Sequence, residues 1–367
     1  MTTDLLERKP EAEARLTFVD CDVHPTMSSL SALNPYLAKR WQDHIAVWGE
    51  HMRQGLGKTL SHPRMQPAVA RADAWPPGGG LPGSDLPFMR EQHLDPYGVE
   101  YAVLQPLRPN GNSQRNLEFG AALCTACNDW QLDQWTGPER RLKGSILVTQ
   151  EWPEAAVAEI HRRAGNKDFV QVALPPQADE PLGRRRYWPI YEAAVECGFP
   201  IGLHVSGVNG HASTGSGWPS FYIEQHHSNC QAMQGLVTSL VIEGVFEKFA
   251  KLKVVLIEGG FAWVPALTWR LDKHWARLRG EVPHLKRPPS EYIREHIWYT
   301  TQPIEEPERP GDLLHLIDWI GWDRLLFSTD YPHWDFDDPR HAIKVKLTEA
   351  QKQKLFRGNA KALYGLP

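Results

Sequence analysis

The residues Leu16-Thr17-Phe18-Val19-Asp20-Cys21-Asp22-Val23-His24-Pro25 decide how the rest of the chain is read. The apolar run 16–19 reads as a buried strand. Groups able to bind a metal or move a proton follow it, and a proline stops the element. Asp22 and His24 stand two apart, so on an extended strand they face one side. A carboxylate beside an imidazole, at the C-terminal end of a strand, makes half of a metal site. Read alone, the same residues also suit a polar turn with Asp22 as a cap.

Working outward, seven more apolar runs follow at 101–105, 144–148, 169–174, 200–204, 253–258, 297–301 and 325–330. Helical patterns lie between them, at 113–135, 152–164, 187–197, 230–249, 263–279 and 313–319. A last helix is predicted from the capping-box pattern Thr348-Glu349-Ala350-Gln351 to Tyr364-Gly365. Strands alternating with helices mean a parallel sheet, and strands apolar throughout have both faces covered. Eight units without a glycine-rich dinucleotide turn after the first predict a closed (β/α)8 TIM barrel. The chain of 367 residues suits one such domain with insertions. Residues 1–15 are polar and are expected to form a flexible arm. The first insertion, 26–92, holds Pro76-Pro77-Gly78-Gly79-Gly80, which no regular element accommodates. An excursion this long is expected to be a cap over the barrel mouth. The second insertion is predicted at 205–228.

Composition narrows the function. Forty basic and 44 acidic residues give a net charge of -4, so no basic surplus points to nucleic acid or an anionic membrane. Mean hydropathy is -0.45, and no apolar run approaches the roughly 20 residues of a membrane span. Five scattered cysteines argue against a disulfide framework. Cys124 and Cys127 form a C-x-x-C within a helical pattern, where packing explains them better than a metal or redox role. The cytoplasm is the expected compartment.

A barrel brings the C-terminal ends of its strands to one mouth. There the first strand offers Asp22 and His24, the fifth His204, the sixth Glu258 and the eighth Asp330. Burying such groups without a partner is costly. Two imidazoles and three carboxylates predict a divalent metal, one or two ions of Zn, Mn or Fe. Glu258-Gly259-Gly260 also suits a plain turn, with Glu258 bonding its backbone N–H groups. His333 and His227 are candidates for a ligand, an acid/base group or a substrate contact. His226 is read as an ordinary surface or satisfied histidine. Asp20 and Cys21 are assigned to support and packing, and Arg184-Arg185-Arg186 to a solvated charge run.

The D-x-H of the first strand, "GLHVSG" at His204, "SLVIEGVFEKFAKLKVVLIEGGFAWVP", "LLFSTDYPHWD" and the closing "LFRGNAKALYGL" resemble the amidohydrolase superfamily. They are most similar to its amidohydrolase-2 branch, which includes aminocarboxymuconate-semialdehyde decarboxylase and the resorcylate-type decarboxylases. The resemblance runs from Thr17 to the end. It implies Asp22, His24, His204 and Asp330 as metal ligands, and Asp330 as a proton carrier. Relatives carry a histidine at the end of the sixth strand, where this chain has Glu258. That departure weighs against decarboxylation. No lysine stands at the end of the fourth strand, where Gln171 and Leu174 lie.

These readings predict a metal-dependent enzyme acting on a small carboxylated or cyclic molecule with an apolar body. Asp330, His333 and Glu258 are its candidate catalytic groups. Asp22, His24, His204, Glu258, Asp330 and His227 are its candidate ligands. The reaction is hydrolysis or non-oxidative decarboxylation. The alternative is a non-haem iron monooxygenase, with one iron or two (diiron), motivated by Glu258 and an oxygen-rich shell. Association into homodimers is expected, as for large relatives.

Overall fold

The computed structural model describes residues 17–49, 67–109, 111–205, 212 and 214–367. Eight parallel strands follow one another around a ring in chain order. They are β1 (Phe18–Val23), β2 (Val99–Leu104), β3 (Leu142–Leu147), β4 (Phe169–Leu174), β5 (Ile201–His204), β6 (Val254–Ile257), β7 (Ile297–Thr300) and β8 (Leu325–Leu326). Helices lie between them, as a (β/α)8 barrel requires. The ring closes where Cys21 N donates to Phe327 O (3.0 Å) and His24 N donates to Tyr331 O (2.8 Å).

Two apolar clusters show the layering. The smaller joins Val19 and Cys21 of β1 with Val103, Val170, Val255, Ile257 and Leu326, plus Ala360, Leu363 and Tyr364 of the last helix. Residues from strands that are not neighbours meet only across the barrel, so this cluster is its filling. The larger cluster packs the outer strand faces against the helices. Cys124 and Cys127 are buried in the helix Leu117–Gln131, and all five cysteines are free thiols. Thr348 and Gln351 form the capping box, and Gly365 at φ 64° ends the last helix.

Three expectations shift. β8 spans two residues rather than six, because side chains take over its ladder: Ser328 N donates to Thr301 Oγ1 and Thr329 N to Asp20 Oδ1. The helix expected from residue 230 begins at Tyr222 and runs to Ile242. Its first two turns are polar, so no apolar stripe marked them. The second insertion is therefore shorter than 205–228, and 206–211 and 213 lie outside the described residues. The arm 1–15 and residues 50–66 of the first insertion lie outside them too.

What is described of the first insertion touches the barrel at several places. The helix Lys39–Trp48 buries Trp41, whose ring lies 5.1 Å from that of Phe119 on an outer helix. Further on, Arg71 N donates to Pro332 O (3.0 Å) and Trp334 N to Val69 O (2.8 Å), beside the mouth. Gly83, from the Pro/Gly stretch, sits against the backbone of His24: a Cβ there would lie 2.4 Å from His24 O.

Candidate metal centre

The end of β1 is built in two layers. Asp20 supports it, accepting from His93 Nε2 (2.8 Å), Thr329 N (2.9 Å) and Thr329 Oγ1 (2.5 Å). A register shift between Asp20 and Val23 then turns the strand. Asp22 and His24 point onward into the mouth, Asp22 fully buried. His24 Nδ1 donates to Gln105 O (2.8 Å), which leaves the lone pair of a neutral ring on Nε2.

The other strand ends meet them. Asp22, His24, His204 and Glu258 each offer one ligand atom, all within 4.8 Å of one another, and His24, Asp330 and His333 form a second such group. His24 Nε2 stands 2.7 Å from Asp330 Oδ1 and 3.2 Å from Asp22 Oδ1. His204 Nε2 stands 3.3 Å from Glu258 Oε2 and 3.5 Å from Asp22 Oδ1. His333 stacks on His24 with centroids 4.3 Å apart, and its Nδ1 lies 2.7 Å from Asp330 Oδ1.

Glu258 and Asp330 hold left-handed backbone, at φ 58° and 63°. Such a conformation costs a residue other than glycine about 1–3 kcal/mol and persists where surroundings impose it. Here Glu258 N donates to Thr300 Oγ1 (3.0 Å) and Asp330 N to Asp22 O (3.1 Å). The turn after β6 is capped by a different residue from the one its sequence offered. Glu305 Oε1 accepts from Phe261 N (2.8 Å) and Ala262 N (2.7 Å), leaving Glu258 to face the histidines.

The donor set fits a divalent cation. Both oxygens of Asp22, His24 Nε2 and His204 Nε2 are buried without a hydrogen-bond partner among the described residues. Lone pairs facing one another at about 3 Å repel unless a cation or a proton lies between them. Burial pushes Asp22 up to about 6, with His24 pulling it back. Burial, then Asp330 and Asp335, holds Glu258 well above the usual carboxylate range; burial and then Asp335 do the same to Asp330. Burial pushes His204 down to about 3, so its imidazole is neutral, the form a metal needs.

Three participants lay outside the sequence reading. His226, rather than His227, turns inward: its Nε2 is 3.1 Å from Asp335 Oδ2 and 3.6 Å from Glu258 Oε1. His227 is exposed and belongs to no such cluster among the described residues. Asp335 joins from the loop after β8, and burial, outweighed by the His226 hydrogen bond and charge, leaves its pKa below the ordinary value. Gln302 Nε2 donates to Asp330 Oδ2 (3.2 Å) and Asp335 Oδ2 (3.0 Å). A cleft opens beside His204, lined mainly by Leu107, Pro109, Leu147, Leu174 and Pro175. Its walls come from the ends and loops of β2 to β5 and from Cys124 of the helix Leu117–Gln131, not from the described part of the first insertion. Arg184 and Arg186 pair with Glu180, on the surface.

A (β/α)8 barrel whose strand ends gather histidines and carboxylates beside an apolar cleft defines a metal-dependent enzyme. Residues 19–366 match the amidohydrolase family, and the chain belongs to it. It is 26% identical over 317 residues to the γ-resorcylate decarboxylase of Polaromonas sp., covering 78% of this chain and 93% of that one. It is 24% identical over 242 residues to the 2-keto-4-carboxy-3-hexenedioate hydratase of Sphingobium sp., covering 60% and 64%. The fold superposes with a TM-score of 0.70 on the 5-carboxyvanillate decarboxylase of Novosphingobium aromaticivorans, solved with manganese and 4-hydroxy-3-methoxy-5-nitrobenzoic acid. Identity is 19%, over all of both chains. The monooxygenase alternative finds no support in these relatives.

Proposed function

We propose that the protein is a metal-dependent lyase that removes carbon dioxide from a small carboxylated ring. The observation that carries the reading is the convergence of Asp22, His24, His204 and Asp330 beside an apolar cleft. The decarboxylase relatives supply the reaction class. Asp22, His24, His204 and Asp330 would hold the ion, and manganese is the first candidate. When bound, it supplies a Lewis acid for the oxygens of the substrate.

The chain does the rest. The cleft walls at Leu107, Leu147 and Leu174 take the ring and exclude water. The Asp330–His333 pair, 2.7 Å apart, is the proton store and relay. A proton passes to the ring carbon that bears the carboxylate. The bond between that carbon and the carboxyl carbon then breaks, its electron pair restores the ring, and carbon dioxide leaves. Gln302, bonded to Asp330 Oδ2, keeps the carboxyl oriented.

Glu258 favours a second reading. Its carboxylate stands where the resemblance places a histidine, 3.3 Å from His204 Nε2. A base there would activate water, for hydration or hydrolysis; one relative is a hydratase. Manganese-loaded protein offered 2,6-dihydroxybenzoate and 5-carboxyvanillate in deuterated water separates the two. Carbon dioxide release with one deuteron at the vacated ring carbon is the expected result. No release, with hydration or ring opening of unsaturated or cyclic acids instead, would replace the lyase reading with the water-adding one.

A further inference from the structure

We propose that the mouth holds a second divalent cation, bound by His226, Asp335 and one oxygen of Glu258, which bridges to the first ion. The two-ion centre goes beyond the reading above, which needs one ion only.

Three observations converge. The first is the direction of the Glu258 carboxylate. Its Oε2 faces His204 Nε2 at 3.3 Å, within the first cluster. Its Oε1 faces His226 Nε2 at 3.6 Å, in a cluster with Asp335. One carboxylate thus presents its two oxygens to two separate imidazoles, the disposition of a bridging ligand. No described residue donates a hydrogen bond to that carboxylate, although Glu258 is only 9% exposed. A carboxylate so buried needs a partner.

The second is the linkage between the clusters. Gln302, fully buried, spends one amide nitrogen on carboxylates of both, Asp330 Oδ2 and Asp335 Oδ2. It fixes their spacing as an outer-shell residue does for metal ligands.

The third is charge. Asp22, Glu258, Asp330 and Asp335 bring four carboxyl groups to one buried mouth. Among the described residues their ion-pair partners are histidines alone. When all four are ionised they exceed the charge of one divalent ion by two, an excess that only protons or a second ion can neutralise in so buried a medium. Two ions balance all four with the imidazoles neutral. Mixed imidazole and carboxylate donors suit Mn, Fe or Zn.

The test is a metal count on the full chain, stripped with chelator, reloaded with excess Mn²⁺ alone, desalted and assayed by mass spectrometry. Two equivalents are expected, with an exchange-coupled manganese resonance. His226→Ala and Asp335→Asn should each bind one equivalent and show an isolated six-line signal. Their circular dichroism should match the wild type. Glu258→Gln should lose the exchange coupling. One equivalent in the wild type, or two in both variants, overturns the proposal and leaves the one-ion reading standing. No metal in the wild type removes both.

Discussion

Gly83→Ala tests whether the first insertion holds a metal ligand in place. Gly83 has φ 77°, and an added Cβ would lie 2.4 Å from His24 O and 3.4 Å from Pro332. Left-handed backbone costs alanine about 1–2 kcal/mol, and forcing a methyl into packed surroundings about 1–3 kcal/mol. The variant should therefore lose about 2–5 kcal/mol. Gly165→Ala is the control, since Gly165 has the same φ with nothing within 4 Å of its Cβ. It carries the backbone cost alone, partly offset by reduced freedom of the unfolded chain. The difference between the two isolates the contact with His24. That contact is with backbone, so relief must shift the Gly83 turn or the backbone that carries His24. Gly83→Ala should also bind Mn²⁺ roughly tenfold or more weakly, as supporting substitutions around metal sites do, while Gly165→Ala keeps wild-type affinity. Denaturant melts of metal-free protein and Mn²⁺ titration give both quantities. Equal destabilisation of the two variants with unchanged Mn²⁺ affinity would refute the reasoning.

Three more expectations concern the centre itself. His204→Ala and Asp330→Asn should each weaken Mn²⁺ binding by more than about a hundredfold, as removal of a ligand exceeds the loss from an outer-shell change; metal analysis after desalting reads it, with circular dichroism to confirm the barrel. Asp20→Ala leaves His93 and Thr329 without their shared buried acceptor, so thermal unfolding should show a loss of about 3–5 kcal/mol. For pH, burial lifts Asp22 to about 6 against an ordinary value of 3.8. Between those values the folded, metal-free state holds a proton that the unfolded state has released. Metal-free stability should therefore fall as pH rises through that window and level off above it. Mn²⁺ competes with the same proton, so its affinity should weaken as pH falls below about 6; melts and titrations at pH 4.5 to 7.5 check both signs.

The barrel was legible because its signal is repeated. Runs such as 169–174 and 297–301 are apolar on both faces, and each is followed by a helical period, so an error at one end does not disturb the count. The ends are a different matter, since they are set by side chains remote in sequence. Nothing between 325 and 330 says that the strand stops at Leu326. It stops because Thr301, just past β7, and Asp20 of β1 take the amides of Ser328 and Thr329. Likewise the polar start of the helix at Tyr222 carries no apolar stripe, so the second insertion looked longer than it is.

The site divides along the same physical line. Asp22, His24, His204 and Glu258 could be placed at the mouth because strand ends in a barrel converge whatever the loops do. Residues on loops and helix starts have no such rule. His226 and His227 are adjacent, and which one turns inward depends on a helix start that periodicity did not reveal. Asp335 depends on a loop that returns to the mouth after Asp330. The two readings of Glu258 turned on who caps the turn after β6, and that role falls to Glu305, 47 positions along the chain. Once Glu305 holds Phe261 and Ala262, Glu258 has no backbone partner left at the turn and faces His204 and His226. The chemistry at the mouth is therefore decided by a residue whose importance is invisible until the turn it serves is in place.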